Sequence, residues 1–157
     1  MRSIDRVRDF FAQRGLAIDV KELSASTRTA QLAADAVGTA LGSIVKSLVF
    51  IADERAILAL VAGDQRADPA KIARAMGAAD ARIANAEQVR VQTSFAIGGV
   101  PPVAHPAPLD TLVDQSLARF EKIWAAAGAP NALFEIEFKK LLELTQGRVA
   151  DIVVADK

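Results

Sequence analysis

The chain has 157 residues, 52% of them hydrophobic and 24% charged, which suits one domain able to bury roughly 70% of the surface its unfolded chain exposes. Nineteen Lys and Arg balance nineteen Asp and Glu, so the whole-molecule field of an extensive duplex binder is missing, although a few local basic contacts suffice for a footprint on one RNA end. The absence of cysteine excludes disulfides, thiolate nucleophiles and cysteine-ligated metals, and a single histidine, His105, excludes a histidine-rich metal site.

From the N-terminus, Ile4, Val7, Phe10 and Phe11 recur at helical spacing, which predicts an amphipathic helix stopped by Gly15. Charges alternate with apolar residues here, where a signal peptide needs an unbroken apolar segment, and no later segment approaches the ~20 apolar residues of a membrane span. Cytoplasmic residence without membrane association is the expectation. Leu16 to Leu23 suits a short strand, and Ser26, Thr27 and Thr29 offer caps for an alanine-rich helix from Ala30 to Val37, closed by Gly38. Ile44 to Ile51 is β-branched and apolar on both faces, as in a strand covered on both sides. A turn at Asp53, Glu54 and Arg55 then leads to a second apolar run, Ala56 to Ala62, and the two make a central antiparallel hairpin.

Asp68 as N-cap, Pro69 at the first helical position and Gly77 beyond the last turn delimit the next helix. Arg82 to Ala84 reads as a short strand, and Asn85 with Gln88 forms the capping box of a helix ending near Ser94. Residues 95–106, FAIGGVPPVAHP, are too rich in glycine and proline for regular structure. Strands are expected near Leu112, around Ile123 and from Leu133 to Ile136. A helix carrying Phe138, Leu141, Leu142 and Thr145 and a last strand from Val149 to Val154 complete the chain. With no repeat and no linker, residues 1–157 read as a single domain of mixed α/β class, with a curved, largely antiparallel central sheet surrounded by helices.

Lys46 interrupts an apolar strand whose neighbours Val45, Leu48, Val49 and Phe50 are candidates for burial. A lysine there is costly unless its ammonium reaches a partner or a cavity; the alternative is a strand-end lysine that snorkels to solvent. Gly98-Gly99 permits positive φ and close approach of backbone to a ligand, and Val100-Pro101-Pro102 stiffens the far end of the loop. Such a loop can present main-chain groups to an oxyanion, or simply be a tight turn. His105 titrates near neutrality but lacks a recognisable Ser or acidic partner motif. Gly63-Asp64-Gln65-Arg66 lacks the spacing of a phosphate-binding loop and reads as a turn. Arg6, Arg14, Lys71, Arg74, Lys139 and Lys140 lie on expected helices, where a solvated face accounts for them.

Together, Gly42-Ser43-Ile44-Val45-Lys46-Ser47-Leu48-Val49-Phe50, Gly63-Asp64 with Lys71-Ile72, and Thr93 through Pro102 resemble the YbaK/ProX family of freestanding aminoacyl-tRNA editing domains, related to the editing domain inserted in bacterial prolyl-tRNA synthetases. The stretch from Trp124 to Asn131 and the ending Leu144-Thr145 with Val149-Ala150-Asp151 also fit. The resemblance implies a deacylase that cleaves the ester between a mischarged amino acid and the terminal adenosine of tRNA, without metal or other cofactor. Lys46 would hold the tRNA acceptor end beside the Gly98-Gly99 loop, on the same side of the sheet. Gly98 and Gly99 would complete the catalytic set, with Ser47, Val100, Pro101, Pro102, His105 and Asn131 binding substrate. An alanine-like residue on proline tRNA is the expected substrate and prolyl-tRNA synthetase a possible partner. Ser43, Ser94 and Leu133 depart from the family pattern; the last is acidic in some cysteine-specific members. Two other readings compete: a non-catalytic module that binds aminoacyl-tRNA or a synthetase, and an unrelated hydrolase using His105 as base, which requires an acidic group beside the ring.

Overall fold

The structure is a computed structural model that describes residues 1–24, 27 and 29–155; Ser26, one of the expected caps, lies outside them. In chain order the described elements are α1 (Ser3–Gln13), β1 (Val20–Glu22), α2 (Ala30–Val37), β2 (Ile44–Ala52), β3 (Arg55–Ala62), α3 (Pro69–Met76), β4 (Ala81–Ile83), α4 (Ala86–Thr93), β5 (Asp110–Asp114), β6 (Lys122–Ala126), β7 (Ala132–Glu137), α5 (Phe138–Thr145) and β8 (Arg148–Ala150), with short 3-10 turns at Leu41–Ser43 and Gln115–Arg119. The strands form one sheet in the order β1-β7-β6-β2-β3-β5-β8, with β4 added to β2. Antiparallel pairs (β1/β7, β7/β6, β2/β3, β2/β4) outnumber parallel ones (β6/β2, β3/β5, β5/β8), so the mixed α/β class with a largely antiparallel sheet is what the chain adopts.

The β2/β3 hairpin organises everything else, because its period of two sends alternate residues to two different cores. Val45, Val49 and Ile51 of β2 and Leu58, Leu60 and Ala62 of β3 join a large cluster with Ile4, Val7 and Phe11 of α1, whose Phe11 ring meets Phe134 edge-on at 5.0 Å. Phe50, Ala52, Ile57, Ala59 and Val61 face the other way, against Ile72 and Ala73 of α3. Ile57, Leu58, Leu60 and Val61 are fully buried, each contributing about 1.5–3 kcal/mol of transfer free energy. A third cluster on the α3 side places Ala33 and Ala34 of α2 over Ile44, Trp124 and Leu133. Alanine at the α2 contact lets that helix lie close to the sheet.

The helix ends are set by the residues that the sequence marks. Thr29 Oγ1 accepts from the Leu32 amide at 3.1 Å, Asp68 from Ala70 at 3.0 Å, and the Asn85/Gln88 capping box closes with bonds of 2.8 and 2.9 Å. Two strand expectations shrink. Of Leu16 to Leu23 only Val20–Glu22 pairs, as an edge strand on β7. The final strand stops at Ala150: Ile152 then gives its amide to Asp114 Oδ1 at 2.9 Å, while its carbonyl accepts from the Asp68 amide at 2.9 Å, so the chain leaves the ladder to close over α3.

Candidate active site in a split of the sheet

One edge of β2 is shared by two strands that do not meet. β6 runs parallel to Ile44 and Val45, β4 runs antiparallel to Phe50–Ala52, and the Ala84 amide extends that pairing by donating to the Val49 carbonyl at 2.9 Å. Between them no strand of the described residues stands opposite Ser47. The Ile44 carbonyl accepts from Gly63, beyond the end of β3, so the even-numbered residues of β2 bond towards β3 and the odd-numbered ones towards the split edge. The main-chain N–H and C=O of Ser47 therefore point into the gap. The Ser47 hydroxyl is buried as well, and among the described residues it has no hydrogen-bond partner.

The gap opens into a cavity of about 340 Å³, at the low end of the range for small-molecule sites. Thr29, the N-cap of α2, and Ala30 and Ala33 within it wall one side; Ile97, Gly98 and Val100 of the loop, with Val89 of α4, wall the other; Lys46, Ser47 and Leu48 form the strand edge between. Leu133 is buried in the lining, so the position that departs from the cysteine-specific pattern gives an apolar wall.

Lys46 and the glycine loop share this cavity, but they do not approach it from one side. Lys46 has the parity of Ile44, under α2, and of Phe50, under α3, and stands between those helices. Val100 packs into the opposite core, with Val45 and Val49. The split in the sheet joins the two faces, which corrects the expectation that lysine and loop lie on the same side. The half-buried Lys46 donates through Nζ to the Gln65 carbonyl at 2.5 Å. Burial holds its pKa below the ordinary lysine value, partly offset by the nearby carboxylate of Asp64. Asp64 in turn accepts two bonds from Arg119, at 2.8 and 3.0 Å, and this guanidinium holds its carboxyl below the usual range. The turn after β3 is thus occupied by an ion pair and does not form a phosphate cradle.

The two loop glycines have different reasons to be glycine. Gly98 adopts φ 92°, the left-handed half of the map, and lines the cavity. Gly99 is buried and outside the lining: a Cβ there would come within 2.7 Å of Ala129 Cα, and its carbonyl accepts from Gly128 at 2.9 Å. The loop is tethered at its start by Thr93 Oγ1, which accepts from Phe95 at 3.0 Å, and by Arg6, which donates to the Ser94 carbonyl at 2.7 Å and stacks 4.2 Å from the Phe95 ring centroid. Ser94 itself sits at φ 63°, a conformation glycine adopts without strain.

Pro101, Pro102, His105 and Asn131, expected against the substrate, do not line the cavity. Both prolines are buried behind the loop. The His105 Nε2 bonds the Pro101 carbonyl at 2.8 Å, which makes it the protonated ring nitrogen, and burial lowers the ring's pKa. His105 thereby staples the Pro101–His105 turn. Asn131 spends its side-chain amide on the Leu23 carbonyl at 3.0 Å, tying the end of β1 to the turn before β7. Sequence reasoning missed Thr27, Thr29, Ala30, Ala33, Ile83, Ala84, Val89 and Ala126 as cavity residues, for they carry no local signal beyond the caps at Thr27 and Thr29. Arg6, Arg14 and Lys71, read as a solvated face, are engaged within the fold. Among the described residues no group of three or more His, Asp or Glu side chains is placed to hold a metal ion, and no helix is long and apolar enough to cross a membrane.

The sequence model of the aminoacyl-tRNA editing domain family matches residues 24–144. The chain belongs to this family. It is 34% identical to the protein YwhH of Bacillus subtilis over 94% of both chains. It is 24% identical to EbsC of Enterococcus faecalis, a candidate Cys-tRNA(Pro)/Cys-tRNA(Cys) deacylase, over 82% of this chain and 79% of that one. A crystal structure of a candidate trans-editing enzyme for prolyl tRNA synthetase superimposes with a TM-score of 0.93 at 47% identity, covering 99% of each chain.

Proposed function

We propose that this chain is a trans-acting deacylase that hydrolyses the ester linking a mischarged small amino acid to the terminal adenosine of a tRNA. The observation that carries this reading is the cavity itself: in a chain of the editing-domain family, one enclosed space brings together a lysine, an open strand edge and a glycine held at positive φ. Alanine or a residue of similar size is the proposed substrate, proline tRNA the proposed carrier and prolyl-tRNA synthetase a partner; the last two rest on the relatives named with the cavity.

An aminoacyl ester is already activated, so its hydrolysis needs mainly a positioned water and stabilisation of the developing oxyanion. Water oxygen bonds to the ester carbonyl carbon, the carbonyl oxygen takes up negative charge, and the bond to the ribose oxygen then breaks, that oxygen receiving a proton from the attacking water. Main-chain donors on the cavity wall serve the oxyanion. The Lys46 ammonium, bonded to the Gln65 carbonyl, receives the charged acceptor end. Val45, Val49, Val89 and Val100 offer the amino acid an apolar enclosure. His105 is assigned no part as base in this reading, since its Nε2–H is bound to Pro101 and the ring stands outside the lining.

The test is single-turnover hydrolysis of Ala-, Ser-, Cys- and Pro-charged proline tRNA. Alanine should be lost fastest and proline spared. One methylene is worth only about 1–3 kcal/mol in such a pocket, so 2-aminobutyrate should also be accepted. A clear preference for cysteine would move the chain to a cysteine-removing branch, and tight binding without turnover of any ester would make it a binding module.

A further inference from the structure

The gap in the sheet is one residue wide on the β2 edge. Val45 is paired with β6, Val49 accepts from Ala84, and Ser47, between them, directs one amide and one carbonyl at the gap, while its buried hydroxyl has no hydrogen-bond partner among the described residues. An unsatisfied buried hydroxyl is a cost to the folded state, and removing it for a methyl of similar shape is neutral or favourable to stability. The arrangement makes sense when something else supplies the partners.

We infer that the aminoacyl group binds as the missing strand residue, in antiparallel register with Ser47. In that geometry the two residues exchange both main-chain bonds: the substrate's α-ammonium donates to the Ser47 carbonyl and to Ser47 Oγ, and the Ser47 amide donates to the ester carbonyl, the atom that becomes the oxyanion. Residues directly opposite share a face of the sheet, so the substrate side chain lies on the Ser47 side, against Val49, Val89 and Val100. Ser47 thus becomes a positioning and specificity residue. Its contact excludes proline for the reason proline is excluded from ladders: φ is locked near −65° and the ring blocks the paired edge. This inference rests on the deacylase reading and adds to it a requirement for the α-amino group.

The wild-type protein is tested with alanyl-tRNA, with lactyl-tRNA, in which a hydroxyl replaces the amine, and with N-acetylalanyl-tRNA, each rate divided by that ester's own spontaneous hydrolysis. The enhancement should fall about tenfold or more for lactyl and further for N-acetylalanyl, because a charge-assisted pair is lost or blocked. If another amino acid is the fastest in the panel, its hydroxy analogue replaces lactyl. In Ser47→Ala, KM for the aminoacyl ester should rise about tenfold, the lactyl penalty should shrink, and thermal stability should stay equal or increase. Equal enhancement for all three wild-type esters overturns the strand-edge mode and leaves the deacylase standing. Absence of hydrolysis of every aminoacyl ester removes the deacylase and the inference together. A Ser47→Ala protein with lowered stability and unchanged lactyl penalty overturns the assignment of Ser47.

Discussion

Gly99→Ala is the substitution whose effect can be worked most directly from the coordinates. An ideal Cβ on Gly99 would lie 2.7 Å from Ala129 Cα, 2.8 Å from its nitrogen and 3.0 Å from its carbonyl carbon, where carbon contacts are optimal at about 3.5–4.0 Å. All three atoms are backbone, so no side chain can rotate away; the loop or the turn before β7 must shift, and the Gly128 amide bond to the Gly99 carbonyl goes with it. Overpacking of this kind costs about 1–3 kcal/mol. For a chain of this size that corresponds to a fall in Tm of roughly 2–12 °C at about 2–4 °C per kcal/mol. Gly77→Ala is the matched control: Gly77 sits at φ 67° with nothing near its Cβ position, so it carries only the left-handed penalty of about 1–2 kcal/mol. Calorimetry and deacylation should be measured on both. Gly99→Ala should lose activity beyond what its stability explains, because the displaced segment includes the cavity wall at Gly98 and Val100, whereas folded Gly77→Ala should keep full activity. A Gly99→Ala protein with wild-type rate and wild-type Tm would show that the contact with Ala129 does not hold the loop in place.

His105→Ala should reduce kcat less than tenfold, since the ring closes a turn behind the loop; a thousandfold loss, about 4 kcal/mol of transition-state stabilisation, would restore the histidine-base reading. The depressed pKa of His105 has a sign that can be checked: its unfolded form takes up a proton first, so stability falls as pH drops below about 6.5, and His105→Ala should flatten that part of the urea-denaturation profile. Asp64, held low by Arg119, contributes stability present above the unfolded carboxylate value and lost as pH falls through the folded one. The pair is partly exposed and worth under about 1 kcal/mol, so the stability difference between wild type and Arg119→Ala should be small near neutrality and shrink towards pH ~2; a difference constant with pH contradicts the coupling.

What could be read in the sequence was local. The β2/β3 hairpin shows in two apolar runs about one turn, and α3 and α4 in the Asp68-Pro69 and Asn85/Gln88 caps, because these signals lie within a few residues of the structure they specify. Lys46 and Gly98 were legible because each breaks a local rule, a charge in a buried strand and a glycine at positive φ. The split of the sheet was not: it depends on β6 and β4 sharing one edge of β2, and strand order is fixed by contacts that no single segment records. For the same reason Ala33, Ala126 and Leu133 gave no sign that they meet around one cavity. His105 and Asn131 carry reactive or polar groups that the fold uses for its own main chain, a distinction that only three-dimensional bonding makes visible.

Lys46→Ala asks whether the ester is cleaved in this cavity. The side chain is half-buried and its ammonium bonds the Gln65 carbonyl, so removing it should leave Tm within a few degrees of wild type, as for substitutions outside the tightly packed core. Single-turnover hydrolysis of mischarged proline tRNA should then fall below detection in a folded protein. Full activity in folded Lys46→Ala would mean that this cavity is not where the ester is cleaved.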